Sequence, residues 1–253
     1  MYAPHLAPAA RSHFPSGHPV GSEPISLSGL FAVRPLESFP VGKAVFWQGD
    51  KATDVFHIAE GCLRLYRILP DGRRAITGFV FAGAVLGLAL KERYGYTAEA
   101  VTPVTLRRLG RQAFHTLVDA SAHLRPQLLD LIYDEMASAQ DQMITLGCKS
   151  AGERVATFFL TIARQTGADL RSPVEIALPM GRQDVADYLG LTIETVCRTI
   201  SKLKRDGLLA LQGQRTIRLR RMDGLRELAG DMDETDEFPG RGIAVAHRAA
   251  WPH

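Results

Sequence analysis

Between about Phe39 and Leu109 the apolar positions come in runs of strand length, each ended by turn residues. Ala44-Val45-Phe46-Trp47 stops at Gln48-Gly49-Asp50, and Val55-Phe56-His57-Ile58 stops at Glu60-Gly61. Cys62 to Ile68 alternates apolar with basic residues, as a strand with one buried and one wet face does. Asp71-Gly72 closes a hairpin, because glycine supplies the positive φ of a tight turn, and Ala75 to Val80 returns. Thr97–Val101 and Val104–Leu109 add two more strands. Many short strands at regular spacing predict a small antiparallel barrel or jelly roll.

From Arg111 the spacing becomes helical. Pro126 suits a first helical turn, where a missing N–H costs nothing. Leu129, Ile132, Met136, Ala139, Met143 and Leu146 then recur at alternating steps of three and four, an a/d seam of about two and a half heptads. A seam this short fits a helix packed on its own domain as well as a two-fold contact with a second copy. Gly152–Thr166 is another amphipathic helix, with Val155, Phe158, Phe159 and Ile162 on one face. Ser172-Pro173 breaks the chain, and Val174–Leu178 reads as a short strand.

The stretch RQDVADYLGLTIETVCRTISKLKRDG, Arg182 to Gly207, predicts two helices joined by a tight turn. Val185, Ala186 and Leu189 face inward on the first, Gly190 makes the turn and Leu191 packs into the junction. Thr192 is an N-cap candidate, its hydroxyl satisfying a free backbone N–H. The second helix runs from Ile193 to about Lys204 with Val196, Ile200 and Leu203 inward, and Gly207 ends it. This is a helix-turn-helix, whose second helix enters the major groove of DNA. Its outward face carries Glu194, Cys197, Arg198, Ser201 and Lys202. Arginine donates a bidentate pair to guanine O6 and N7, and glutamate accepts from cytosine N4. Leu208–Leu211, Gly213-Gln214-Arg215 and Thr216–Arg220 follow as a hairpin wing whose basic residues meet phosphates.

Composition narrows the class. Of 253 residues 46 % are hydrophobic, enough for a sizeable core, and no apolar run reaches the roughly 18 residues of a membrane helix. The N-terminus has no basic stretch followed by an apolar run, so we expect a cytoplasmic protein without a membrane partner. Three widely spaced cysteines, Cys62, Cys148 and Cys197, argue against a disulfide framework and against a local metal or iron–sulfur motif. The net charge of +3 is mild, but Gly147–Ala229 holds 14 Lys/Arg against 9 Asp/Glu, compatible with a nucleic-acid partner. An enzyme of the cupin type needs several inward metal ligands, whereas the strand region offers only His57. No P-loop, dinucleotide fingerprint or Ser–His–Asp order stands out.

The order of strand domain, long helix and winged helix-turn-helix, over about Val41 to Arg221, resembles the Crp–Fnr superfamily of bacterial transcription regulators. The most specific piece is LGLTIETVCRTISKLKRDGLL, similar to the family's recognition region. Ile193 to Arg198 looks more like the Fnr and FixK branches than the catabolite activators, which carry Arg where Ile193 stands. The resemblance implies a palindrome of the type TTGAT-N4-ATCAA, or TTG-N8-CAA, with Glu194 and Arg198 reading the inner C·G pair. Cys197 stands where Fnr-like proteins have Ser.

Catabolite activators hold cyclic AMP with a Gly-Glu and an Arg-Ser pair. Here Gly83-Ala84-Val85-Leu86-Gly87 replaces that Glu with Ala84, and Arg93-Tyr94-Gly95-Tyr96-Thr97 has no Arg-Ser pair. Fnr binds its cluster through N-terminal cysteines, and residues 1–50 contain none. These departures favour the FixK-like branch.

The resulting expectation is an α+β chain without catalytic residue, metal or cofactor. It comprises a flexible arm (1–25), a jelly-roll or barrel domain of cyclic-nucleotide-binding type (26–120), a dimerisation helix (121–147), a winged helix-turn-helix (148–230) and an acidic flexible tail (231–253). The expected DNA contacts are Thr192, Ile193, Glu194, Thr195, Cys197, Arg198, Ser201, Lys202 and Arg215. The heptad seam makes the homodimer, RNA polymerase is the further partner implied by the family, and oxidation of Cys197 weakens DNA binding. The alternative is a Crp-like regulator gated by a small molecule in the strand domain.

Overall fold

A computed structural model describes residues 25–88, 92–213 and 215–231. The expected arm and tail lie, but for their inner ends, outside the described residues. Eight strands build the first half: β1 (Leu36–Phe39), β2 (Ala44–Phe46), β3 (Asp54–Glu60), β4 (Cys62–Ile68), β5 (Arg74–Phe81), β6 (Val85–Leu86), β7 (Thr97–Ala100) and β8 (Val104–Gly110). They form two antiparallel sheets, ordered β1-β8-β3-β6 and β2-β7-β4-β5. Among the described residues each sheet keeps two free edges, so the architecture is a jelly roll and not a closed barrel. The hairpin at Asp71-Gly72 forms as expected, with Gly72 at φ 81° and Asp71 accepting from the Arg73 N–H. Sequence periodicity missed β1 and β6, whose four and two residues are too short for an alternation to stand out.

Strand alternation sorts the side chains into three layers. Phe56 and Ile58 of β3, Leu63 of β4, Ala98 and Ala100 of β7 and Val104 and Leu106 of β8 point between the sheets and make the roll's core. Val55 of β3 and Leu109 of β8 point the other way. They pack with Phe31 of a short 3-10 helix (Ser28–Phe31) and with Phe114 and Val118 of α1 (Arg111–Asp119). Cys62, Tyr66, Ile76 and Phe79 leave the far face of the second sheet and join the core of the C-terminal half.

Gly61, between β3 and β4, shows how tightly the roll is turned. Its φ is +94°, and a Cβ there would overlap the Pro103 carbonyl oxygen and lie 2.9 Å from Val104 Cγ2. Gly61→Ala is therefore expected to cost about 1–3 kcal/mol for the backbone conformation alone, with the overlap added to it. A chemical denaturation curve reads this directly, and an unchanged midpoint would contradict it.

Helix α2 (Leu124–Cys148) leads from the roll to α3 (Ala151–Gln165), whose start is fixed by a Ser150–Glu153 capping box. The chain continues through β9 (Val174–Ala177), α4 (Arg182–Leu189), α5 (Ile193–Arg205), β10 (Leu209–Gln212), β11 (Thr216–Leu219) and α6 (Met222–Ala229). Val155, Phe159 and Ile162 of α3, Val185 and Leu189 of α4, and Val196 and Ile200 of α5 share one core with Leu225 of α6. β9 adds to the hairpin as a third strand, giving the order β10-β11-β9. Among the described residues no helix is long and apolar enough to cross a membrane.

Candidate nucleic-acid interface

Three local devices set the recognition helix. Gly190 ends α4 in the left-handed conformation, φ 61°, and the Leu191 N–H returns to the Ala186 carbonyl. Leu191 is half-buried against the domain core. Thr192 caps α5: its hydroxyl oxygen accepts from the Thr195 N–H at 3.2 Å. With Val196, Ile200 and Leu203 buried, the opposite face of α5 must be wet, and Ile193, Glu194, Cys197, Arg198, Ser201 and Lys202 are all exposed.

Details of that face depart from a simple outward projection. Thr195 is half-buried, and its hydroxyl shares a 3.1 Å hydrogen bond with Thr192, so it supports the cap. Ser201 donates its hydroxyl to the Cys197 carbonyl at 2.8 Å. No ion pair joins Glu194 to Arg198 among the described residues. Hydrogen bonds from its own backbone N–H and from the Thr192 hydroxyl instead hold the Glu194 carboxyl below the ordinary range. Both side chains therefore remain available to a partner, Glu194 as an acceptor and Arg198 as a donor.

The wing, β10 and β11, follows α5 in the chain. Arg215 is exposed after the turn at Gly213 (φ 74°), and its carbonyl accepts from the Leu178 N–H at 2.7 Å. Arg218 reaches Glu175 of β9 at 3.9 Å, while Arg220 is exposed. Lys202, Lys204 and Arg205 crowd the last turn of α5, where cations are favoured by the helix dipole.

Sequence reasoning missed Arg182. It stands at the first position of α4, half-buried, and burial lowers its pKa while the charge of Cys197 acts to raise it. Its burial is a product of how α4 packs in the folded chain. No local pattern in the sequence marks that burial, because it depends on packing between elements.

The expected dimerisation positions also have a definite placement. Leu124, Leu128 and Leu131 of α2 pack on the roll's outer layer. Leu129, Ile132, Met136, Ala139, Met143 and Leu146 are exposed, as are Tyr133 and Ile144, which the heptad reading left out. The seam thus turns away from its own chain. His57 stacks on Phe31 at 5.6 Å, neither ring nitrogen has a hydrogen-bond partner among the described residues, and burial lowers its pKa.

Residues 36–121 match a family model described as a cyclic nucleotide-binding domain, and residues 153–228 one described as a Crp-like helix-turn-helix domain. The nitrogen fixation regulation protein FixK of Bradyrhizobium diazoefficiens is 40 % identical over 173 residues, covering 68 % of this chain and 73 % of that protein. This chain belongs to the Crp–Fnr family of transcription regulators, on its FixK-like branch. The transcriptional activator protein FnrL of Cereibacter sphaeroides is 34 % identical over 209 residues, covering 81 % and 84 % of the two chains. Among solved structures, FixK2 from Bradyrhizobium japonicum superposes with a TM-score of 0.71 at 35 % identity, over 78 % of this chain and 97 % of that one. The relatives are regulators of transcription and not enzymes, and the Crp-like helix-turn-helix domain makes this chain a DNA-binding regulator.

Proposed function

We propose that this FixK-like regulator is a homodimeric, effector-independent transcription activator of a TTG-N8-CAA-type palindrome, controlling low-oxygen respiratory or nitrogen-metabolism genes from the cytoplasm. The observation that carries the reading is the wet face of α5, where Glu194 and Arg198 stand free of each other, followed in the chain by a basic wing. Glu194 accepts from cytosine and Arg198 donates to guanine, while Lys202 and Arg215 neutralise phosphates. The exposed seam on α2 supports the dimer, which places two recognition helices about one DNA turn apart. RNA polymerase is the partner through which an activator of this family acts.

The interior of the roll supports independence from cyclic AMP. Phe46 stacks on Tyr94 at 3.9 Å and lies 5.6 Å from Tyr96, in the same core as Leu86. The Tyr94 hydroxyl accepts from the Asp54 N–H and donates to the Asp54 carbonyl. The backbone at Gly87 runs close to β3, since a Cβ there would meet the Asp54 carbonyl oxygen at 2.9 Å. With Ala84 where a catabolite activator carries its Glu, the roll is packed by its own side chains.

Cys197 adds control by oxidation. It is exposed on the DNA-facing side, and its conversion to a sulfenic or sulfinic acid brings bulk and charge against the phosphate backbone. The test is a titration of the palindrome and a scrambled control by reduced and peroxide-treated protein, without added ligand. Specific binding by the reduced protein, lost on oxidation in the wild type and kept in Cys197→Ser, is expected. Equal peroxide sensitivity in Cys197→Ser removes the redox role. Specific binding that appears only with an added small molecule makes the roll a ligand sensor instead.

A further inference from the structure

The helix-turn-helix is tied to the roll by an ionic network that no part of the DNA-reading surface requires. Asp184, the third residue of α4, serves two elements at once. Its Oδ2 accepts from the Gly181 N–H at 3.3 Å and so caps the helix. Its Oδ1 accepts from Arg64 Nη1 of β4 at 3.0 Å and from Arg74 Nη2 of β5 at 2.7 Å. Arg74 also reaches Asp187 Oδ2, one turn along α4, at 3.0 Å. Behind them Arg64 Nη2 binds Glu99 Oε1 of β7 at 2.5 Å, and the Tyr66 hydroxyl donates to Glu99 Oε2 at 2.9 Å. The five charged side chains are only 10–27 % exposed.

The rest of α4 is held as firmly. The Tyr188 ring meets Phe79 of β5 edge-on at 5.6 Å. At the C-terminal end, Gln142 Nε2 of α2 donates to the Tyr188 carbonyl at 3.0 Å, and Arg154 Nη1 of α3 donates to the Leu189 carbonyl at 3.0 Å. Helix α5 follows three residues later and packs on α4 through a common core. Wherever α4 is fixed, the recognition helix is fixed too. A largely buried ion-pair network contributes little net stability, yet leaving half of it unpaired is costly, so it favours one arrangement over its alternatives.

We propose that Arg64 and Arg74 are positioning residues for DNA binding: through Asp184 and Asp187 they dock the helix-turn-helix on the roll and set the separation of the two recognition helices without an effector. This rests on the reading of the protein as a dimer on a palindrome. The clamp acts through α4, and neither arginine lies on α5 or the wing.

The test compares wild type with Arg64→Gln/Arg74→Gln on three DNAs: the palindrome, the palindrome with its spacer changed by one base pair, and an isolated half-site. We expect the variant to bind the palindrome at least tenfold more weakly, to discriminate less between the two spacers, and to bind the half-site within twofold of wild type. Unchanged affinity and spacer preference overturn the clamp, as does an equal loss on palindrome and half-site, which marks damage to the recognition helix itself. If the double variant shows no cooperative melt, Arg74→Gln alone, which leaves Arg64 paired with Glu99 and Asp184, takes its place.

A second measurement needs no DNA. Spin labels on Cys197 and on Lys51→Cys, in a Cys148→Ser background diluted with unlabelled chain, read the distance from roll to recognition helix within one chain. The clamp predicts a narrow distribution that broadens or shifts in the arginine variants, and an identical distribution overturns it. Should wild type ignore the palindrome, the proposed operator falls, and the label distances still decide the clamp.

Discussion

Arg198→Ala is expected to weaken palindrome binding more than any other single change on the recognition helix. A bidentate arginine–guanine contact is worth about 1–3 kcal/mol, and a homodimer loses it in both half-sites, so roughly 2–6 kcal/mol is at stake. At about 1.4 kcal/mol per decade, this is a loss of at least about thirtyfold. Arg198 is exposed on α5 and among the described residues pairs with no acid, so substitution removes no ion pair found there. The loss should be confined to the cognate sequence. In an anisotropy titration the variant's affinity for scrambled DNA falls only slightly, and its preference at the inner C·G pair disappears. Glu194→Ala should relax the same position from its other side. Equal weakening on cognate and scrambled DNA would reduce Arg198 to a phosphate contact.

Met136→Glu should convert dimer into monomer at micromolar concentration. Met136 lies midway along the exposed seam, 52 % exposed in the single chain, with Ile132 and Met143 to either side. In a two-fold contact one substitution brings two carboxylates into an apolar interface, where neither has a partner and each must be desolvated. DNA affinity falls with it, because two half-sites joined in one dimer gain about 10²–10⁴ in effective affinity over separate ones. Sedimentation velocity distinguishes the species. A variant that remains dimeric and binds the palindrome normally would put the interface elsewhere and return the seam to an accidental stripe. The chain's own fold should survive, because the leucines that anchor α2 to the roll are Leu124, Leu128 and Leu131.

The two substitutions test different levels of organisation. Arg198 acts at a base edge and Met136 at the level of assembly, and their effects on the palindrome should separate on a half-site. There Arg198→Ala still loses its cognate contact, while Met136→Glu costs little. The clamp through Asp184 lies between them, joining the roll to the helix-turn-helix.

The sequence by itself determined the elements whose causes are local. The β4–β5 hairpin follows from Asp71-Gly72, the recognition helix from Gly190, Thr192 and the spacing of Val196, Ile200 and Leu203. Each of these is a turn, a cap or a period, readable within a dozen residues. Tertiary structure decided what the periods face. Helix α2 carries two apolar stripes, and a period of 3.5 does not say which one meets its own roll; packing assigned Leu124, Leu128 and Leu131 to it and left the heptad seam outside. Packing also left the two sheets with open edges, where a strand count alone fits a barrel equally well. The joining of Arg64 to Asp184, 120 residues apart, has no signature along the chain. A charge seeks whatever carboxylate the fold brings near, and only the folded chain brings them together.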